Sequence, residues 1–307
     1  MLGIDLAEEY YRSCWVPQVH GRIGALEERI AVGLVGPGSE CFRFDDAISR
    51  DHDWGPGFCL WLTDDDHRES GSTLQQAYDA LPTPFLGFPQ RQSSRGEEWR
   101  VGVTRTSAFF VRFTGLNRPP STPQEWLRIP EHALAVCTNG KVFSDPLGAF
   151  TRWREALLEH YPEDVRLRKI AALCITLAQT GQYNFRRMMK RGDLFAAEYT
   201  AMKFCVDAIA LVFLLNRRYA PFYKWLHRAV RELPILGAST HDHVARLVTA
   251  AGTDERTALM ERMAAQLIDA LQRQSLSDSS SRFLLDHAPS VRSRIVDPQL
   301  REHLPVP

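Results

Sequence analysis

The residues with the clearest chemical potential begin with a Gly-Ser pair. Gly38 and Ser39 follow the apolar run of residues 31–35 and the turn residues Gly36 and Pro37. This order is typical of a buried strand that enters a tight turn. Such a turn exposes backbone N–H groups that can hold phosphate oxygens, and a serine hydroxyl can bind the same oxygens. The pair therefore predicts a phosphate-binding turn.

Two aspartates complete the pattern, because Asp51 follows Ser39 by 12 positions and Asp53 lies two residues later. On an extended segment, side chains two positions apart project from one face. Carboxylate oxygens are preferred ligands of Mg²⁺ and similar cations. Two divalent ions about 3.5 to 4 Å apart would clamp the attacking and leaving oxygens of an in-line phosphoryl displacement. Asp51 and Asp53 are therefore the predicted catalytic and metal-binding residues.

The combined pattern resembles that of a known superfamily. Gly38-Ser39 followed by the string SRDHDW is similar to the motif of the polymerase-beta-like nucleotidyltransferases. The longer string GSECFRFDDAISRDHDWGP resembles a bacterial family of nucleotidyltransferase-like proteins of unknown function. The strings YNFRRMMKRGD and LLNRRYAPFYKW resemble the helical half of that family. The resemblance extends from the leading helices to about Leu233.

This resemblance implies a reaction and a set of ligands. The reaction is a Mg²⁺- or Mn²⁺-dependent transfer of a nucleoside monophosphate from an NTP, expected to be ATP, to a hydroxyl or similar acceptor. Ser39 would bind the phosphates, and Asp51 and Asp53 the metal ions. The acceptor, whether a small molecule, a protein or an RNA end, is not legible in the sequence. The competing hypothesis is a nucleotide-binding or interaction protein on an inactive scaffold of the same kind.

Two basic residues join Gly38 and Ser39 as predicted nucleotide ligands. Arg50 can neutralise the triphosphate or form an ion pair with a neighbouring aspartate. Lys224 can reach a phosphate, beside aromatic residues that either stack on a base or pack in the core. Asp45 and Asp46 are either phosphate-side or metal-side acids, or else a helix cap and a solvated first turn.

The third carboxylate that active members of the superfamily place on a later strand has no counterpart in the corresponding run, WRVGVT, of residues 99–104. Glu97 and Glu98 precede this run, and Asp145 follows another predicted strand. These three acids are the candidates for the missing general base. Whether the protein catalyses transfer depends on this position.

The elements that must position these residues indicate an α+β fold. Short strands are expected at residues 31–35, 58–62, 99–106 and 135–142, with a helix at residues 73–81 after a polar stretch. From about residue 146 the apolar residues follow a helical period. We therefore predict a nucleotidyltransferase-type domain with a small mixed sheet at residues 1–148, followed by an all-α helical bundle domain at residues 149–307.

Composition narrows the class of protein. The 37 basic and 37 acidic residues leave no net charge to attract a polyanion, so bulk nucleic-acid binding is not indicated. The six cysteines show no zinc-type spacing. The N-terminus lacks the pattern of a signal peptide, and the longest apolar stretch is too short to cross a bilayer. A cytoplasmic location without membrane contact is expected.

Overall fold

A computed structural model describes residues 1–302, and the chain forms two compact units. The sheet unit comprises residues 1–121 and 129–159, and the helical unit comprises residues 122–128 and the described residues from 160 onward. The mixed sheet and the helical C-terminal region confirm the predicted α+β class. The predicted domain limits of 1–148 and 149–307 stay a prediction.

The sheet unit contains, within residues 1–302, a four-stranded mixed sheet in the order β3-β2-β1-β4. Its strands are β1 (Ala31–Leu34), β2 (Cys59–Leu62), β3 (Gly102–Arg105) and β4 (Lys141–Ser144). β1 is antiparallel to both of its neighbours, and β2 is parallel to β3. Four residues per strand make each strand about 13 Å long.

Both central strands are apolar because both of their faces are covered. Phe58, Leu60 and Leu62 pack with Tyr10 and Trp15 on one face. On the opposite face the Trp61 ring stacks on Phe150 at a centroid distance of 3.9 Å and meets Phe109 edge-on. Burial on both sides explains why β2 reads as an unbroken apolar run rather than as an alternating one.

Helices surround this sheet. They are α1 (Gly3–Tyr10), α2 (Val16–Val19), α3 (Asp64–Asp79), α4 (Thr106–Thr114), α6 (Glu131–Thr138) and α7 (Ala149–Leu158), with a π-helical turn at Tyr11–Trp15. α3 is longer than the predicted helix at residues 73–81. Its start is fixed by the Thr63 hydroxyl, which accepts a hydrogen bond from the Asp66 amide. Three aspartates in the first turn complement the helix dipole, so the polar stretch is helical.

The predicted strand at residues 135–142 is wrong. The chain forms α6 from Glu131 to Thr138 and enters β4 only at Lys141. Five consecutive buried residues, Ala133 to Cys137, produced an apolar run that does not distinguish a buried helix from a buried strand.

The helical unit is all-α within the described residues. Its helices are α5 (Pro123–Arg128), α8 (Glu163–Leu177), α9 (Phe185–Arg191), α10 (Leu194–Leu215), α11 (Tyr223–Val230), α12 (Gly237–Thr249), α13 (Thr253–Arg273), α14 (Ala288–Ser293) and α15 (Pro298–Glu302). A π-helical segment, Ala178–Asn184, joins α8 to α9. The predicted helical character of the second half is confirmed.

Arg166 holds three of these helices together. Its buried guanidinium, on α8, donates to the Leu214 carbonyl at 2.9 Å and to the Gln274 side chain at 2.9 Å. Gln274 in turn donates to the Leu215 carbonyl. Leu214 lies in the last turn of α10, where a cation interacts favourably with the helix dipole, which offsets part of the cost of burying Arg166. Among residues 1–302, no helix is long and apolar enough to cross a membrane.

Candidate functional site

One end of the sheet gathers the segments that carry the predicted site. β1 ends there, and β2, β3 and β4 all begin there, because Leu34 lies opposite Lys141, Gly33 opposite Cys59, and Cys59 beside Gly102. We call this the convergent end of the sheet. The Gly-Ser turn leaves it from β1, and the segment with Asp51 and Asp53 enters it toward β2.

The Gly-Ser turn is fixed by a distant side chain. Asn139, just before β4, accepts a hydrogen bond from the Gly36 amide at 3.2 Å and donates one to the Gly36 carbonyl at 2.7 Å. Ser39, half-buried, then begins a short 3-10 helix, Ser39–Phe42. Gly38 is required by packing, because a Cβ atom at this position would overlap the Glu40 carboxylate.

Glu40 forms a buried ion pair beneath this turn. Arg91 Nη2 donates to Glu40 Oε1 at 2.9 Å, and each side chain is only 4% exposed. Although burial opposes the charge of the guanidinium, the Glu40 carboxylate raises the pKa of Arg91 above its usual value. Among residues 1–302, Arg91 Nε and Nη1 have no hydrogen-bond partner. The pair links the Gly-Ser turn to a segment 51 residues farther along the chain.

Asp53 is the more enclosed of the two predicted metal ligands. Ser94 donates one hydrogen bond to each of its carboxylate oxygens. Oδ1 accepts from the Ser94 amide at 2.8 Å and Oδ2 from the Ser94 hydroxyl at 2.9 Å. Arg100 Nη1 lies 3.9 Å from Oδ2. The Asp53 amide also donates to the Gln92 carbonyl at 2.8 Å. Asp53 is thus anchored through both its side chain and its backbone.

These contacts set the charge state of Asp53. Burial alone would raise the pKa of its carboxyl, but the two hydrogen bonds from Ser94 and the charges of Arg100 and Arg91 outweigh burial and lower it. The carboxyl is therefore ionised at neutral pH, as a cation ligand must be.

Asp51 lies in different surroundings. Its side chain is 62% exposed, and its carboxylate is 2.7 Å from Nδ1 of the neighbouring His52. The extended segment expected at Asp51 and Asp53 is wrong. Residues Ile48–Arg50 form a 3-10 turn, and Asp53 has a left-handed φ of 51°. The two carboxylates do not follow the alternation of a strand, and metal binding by them stays a prediction.

The other two acids in this loop, Asp45 and Asp46, both form hydrogen bonds within the sheet unit. Buried Asp45 accepts from the Gly3 amide at 2.7 Å and from the Trp54 indole at 3.0 Å, which ties α1 to the loop. Asp46 accepts from the Ile48 and Ser49 amides, so its side chain stabilises the start of the 3-10 turn. Both roles stabilise the loop that carries Asp51 and Asp53.

The two predicted basic ligands lie over aromatic rings. The exposed Arg50 guanidinium lies 4.7 Å from the Trp54 ring centroid and 5.5 Å from that of Phe88. Lys224 is exposed on α11, with its ammonium 5.1 Å from the Trp225 ring centroid. Lys224 belongs to the helical unit and the other predicted ligands to the sheet unit. A nucleotide contact by either residue stays a prediction.

The candidates for the third carboxylate differ in position. Glu97 accepts from Arg100 Nε at 2.7 Å, and Glu98 accepts from the Gly96 amide at 3.1 Å; both precede β3, at the convergent end. Asp145 follows β4 at the opposite end of the sheet, where it accepts from the Thr151 amide of α7. Asp145 is therefore excluded. β3 itself contains no acid, as its sequence predicted.

The donor chemistry of Asp51 and Asp53 suits Mg²⁺. This ion commonly uses one or two carboxylates and completes its coordination with waters and substrate phosphates. Within the described residues, no group of three or more His, Cys, Asp or Glu side chains is arranged to hold a metal ion. Phosphates and water would therefore have to supply the remaining ligands.

Three residues of this site were missed at the sequence level, namely Arg91, Ser94 and Asn139. They lie 41 to 103 residues from the groups they contact. No local pattern marks such partners. Arg91 and Ser94 lie in a polar run without helical or strand periodicity, and the sequence indicates only that this run is a loop.

Comparison with known proteins gives two matches. Residues 126–226 match a domain of unknown function, DUF4037. A crystal structure of a nucleotidyltransferase-like protein from Exiguobacterium sibiricum 255-15 is similar to the chain with a TM-score of 0.33 and 12% sequence identity. That match covers 88% of this chain and 76% of the other. No curated protein matches this chain.

Proposed function

We propose that the protein transfers a nucleoside monophosphate from an NTP, with ATP as the first candidate, to an acceptor hydroxyl or similar group. One observation carries the proposal. The Gly-Ser turn leaves β1 and the segment with Asp51 and Asp53 leads into β2 at the convergent end of the sheet, because these strands are antiparallel neighbours. A phosphate-binding turn and cation-binding carboxylates are both needed for this chemistry, and in this proposal the Gly-Ser turn and the two aspartates supply them.

Each residue has a role in this proposal. The turn at Gly38 and the Ser39 hydroxyl bind the triphosphate, and Arg50 adds positive charge to it. Asp51 and Asp53 hold Mg²⁺ or Mn²⁺. When bound, the cation neutralises the phosphate oxygens and withdraws charge from the leaving pyrophosphate. Glu97 and Glu98 are the candidates to accept the proton of the acceptor hydroxyl, since they precede β3 at the same end.

A second candidate function is nucleotide binding without transfer. β3 carries no acid, and both oxygens of Asp53 are engaged by Ser94. The first observation leaves β3 without a general base, and the second leaves fewer lone pairs of Asp53 open to a cation. Both favour a scaffold that binds a nucleotide without transferring it.

One labelling experiment separates the two functions. The protein is incubated with NTPs labelled at the α-phosphate, with Mg²⁺ or Mn²⁺ and a cell extract. Nucleotidyl transfer predicts label on an acceptor with the wild type and loss of label with Asp51→Asn and with Asp53→Asn. Asp65→Asn is the matched control, because Asp65 is an exposed carboxylate on α3 that pairs with Arg68.

The outcomes are distinct. NTP binding without label transfer would leave only the second function, and absence of NTP binding would reject both. Where label is transferred, the labelled product is treated with nuclease or with protease, or passed through a membrane that retains macromolecules. Loss of label to nuclease, loss to protease, or passage through the membrane assigns the acceptor to RNA, protein or small molecules.

A further inference from the structure

Helix α10 carries a row of apolar side chains that face solvent. The row consists of Phe195, Tyr199, Met202 and Val206, and its first two members are 83% and 60% exposed. Steps of four, three and four residues place all of them on one face of the helix, over about 16 Å of its length. We call this row the α10 stripe. Single exposed apolar residues are ordinary, but a contiguous exposed row is typical of a surface that another molecule covers.

The other faces of α10 pack in the core of the helical unit. Ala201, Phe204 and Leu211 are buried there. The helix is therefore ordered before any partner binds, so association includes no cost of helix formation and a short stripe can suffice. A helix of a soluble unit ordinarily presents polar residues on its outer face, whereas α10 presents the stripe.

The α10 stripe has the repeat of a coiled-coil seam. Alternating steps of four and three residues are those of heptad positions d and a, with Phe195 and Met202 at d and the other two members at a. In this register Glu198 falls at g and Lys203 at e, on opposite flanks of the stripe. Such a seam packs against another helix that has the same repeat.

The flanking charges fit a parallel copy of the same helix. In a parallel pair, a residue at g faces the e residue five positions later on the other helix, so Glu198 of each copy meets Lys203 of the other. An antiparallel pair places g against g and e against e, which brings like charges together. A lipid surface would be matched by cations on both flanks.

Both flanking side chains can accept a second partner. Glu198 accepts from Nη1 and Nη2 of Arg256, but its side chain is 57% exposed and each oxygen retains a lone pair. The Lys203 ammonium donates to both carboxylate oxygens of Asp207, which leaves one of its three donors. Because these ion pairs already orient Glu198 and Lys203, a further contact costs little side-chain entropy.

We propose that the α10 stripe is a self-association surface, on which α10 of a second copy packs in parallel about a two-fold axis. Each member of the stripe then faces its own counterpart, since a parallel pair in register aligns equal positions. Self-association through α10 does not depend on nucleotidyl transfer, so the labelling experiment and the experiments below fail independently.

Analytical ultracentrifugation of the full chain over a concentration series tests the association. The wild type is expected to be mostly dimeric at about 100 µM, since small interfaces dissociate in the micromolar range. Val206→Glu places like charges in the seam and should weaken the dimer about tenfold or more. Val248→Glu is the matched control, because Val248 is an exposed valine on α12, outside the stripe, and it should keep the wild-type affinity. Circular dichroism compares the folding of both variants.

Crosslinking of cysteine variants tests the direction of packing. Phe195→Cys and Val206→Cys lie at the two ends of the stripe. Parallel packing predicts that a short bismaleimide links each variant to its own counterpart, whereas antiparallel packing predicts links only in a mixture of the two variants. The wild type is the background control, because five of its six cysteines are buried and Cys14 is partly exposed.

A wild type that stays monomeric over the whole series would overturn the proposal and leave the stripe to a partner of different sequence. Equal dimer affinities of Val206→Glu and Val248→Glu would overturn it as well, because the seam would then lie elsewhere. Links that form only in the mixed sample would reject the parallel arrangement.

Discussion

The Arg91 guanidinium donates to the Glu40 carboxylate at 2.9 Å from a position where both side chains are 4% exposed. The contact joins the Gly-Ser turn to a loop 51 residues later. A buried ion pair contributes little compared with an apolar pair, but the loss of one partner leaves an uncompensated charge. The pair therefore fixes the Gly-Ser turn against this loop. We expect the loss of stability on removal of one side chain to depend on whether the other is present.

A double-mutant cycle measures how strongly the two side chains depend on each other. Arg91→Met and Glu40→Leu should each lower the free energy of unfolding by about 3 kcal/mol or more, because each leaves a buried charge unpaired. The double variant should lose less than the two single losses combined. Chemical denaturation measures all three. Additive losses would show that the two side chains do not depend on each other.

Gly38 should be intolerant of a methyl group for reasons of space. Gly38→Ala forces a Cβ atom into the Glu40 carboxylate and should lower the free energy of unfolding by about 1 to 3 kcal/mol. Gly36→Ala is the matched control in the same turn, since its added Cβ would lie 3.8 Å from Cys41 Sγ, an ordinary contact. Thermal denaturation compares the two variants. Equal losses would mean that the Glu40 carboxylate moves aside without cost.

Asp51 and Asp53 should differ in their effect on stability. Asp51→Ala removes an exposed carboxylate and should change the free energy of unfolding by less than about 0.5 kcal/mol. Asp53→Ala removes the acceptor of both Ser94 bonds at a left-handed φ of 51° and should cost about 2 kcal/mol. Urea denaturation without added metal makes the comparison. A large loss in Asp51→Ala would contradict the exposed position of Asp51.

Stability should also depend on pH through His160 in the helical unit. His160 is buried, and its ring stacks on Tyr219 at a centroid distance of 4.7 Å. Burial, together with the charges of Arg166, Arg217 and Lys169, lowers the pKa of His160 to about 3. An unfolded histidine has a pKa of about 6.5. Between these values only the unfolded chain takes up the proton, so the His160 contribution to stability is complete above about pH 6.5 and is lost as the pH falls toward 3.

His160→Asn tests this dependence, because asparagine fits the left-handed φ of 72° and does not titrate. The difference in the free energy of unfolding between about pH 7.5 and about pH 4.5 should be smaller in this variant than in the wild type. An unchanged difference in His160→Asn would show that another group titrates.

The sequence was informative where the structure depends on neighbouring residues. The strand before Gly36, the helical second half and the absence of an acid from β3 were all predicted, because apolar periodicity and residue type determine them. α6 was missed, since a run of buried residues such as Ala133 to Cys137 fits a helix and a strand equally well.

The candidate site was predicted only in part for a related reason. Gly38 and Asp53 were found by type and spacing, but the groups that fix them come from elsewhere in the chain. The loop conformation at Asp53 follows from Ser94 and Gln92, which are about 40 residues away. Long-range partners of this kind leave no periodicity in the sequence.

The two hydrogen bonds between Asn139 and Gly36 join residues 103 positions apart, which has a consequence for folding. The ribosome must complete β1 and most of the sheet unit before the side chain that fixes its turn has been made. Because the entropic cost of closing a chain loop grows with its length, contacts of such high sequence separation form late. During synthesis the Gly-Ser turn therefore lacks these two hydrogen bonds until Asn139 emerges. The residues of β1 are made long before the turn that follows them is held in place.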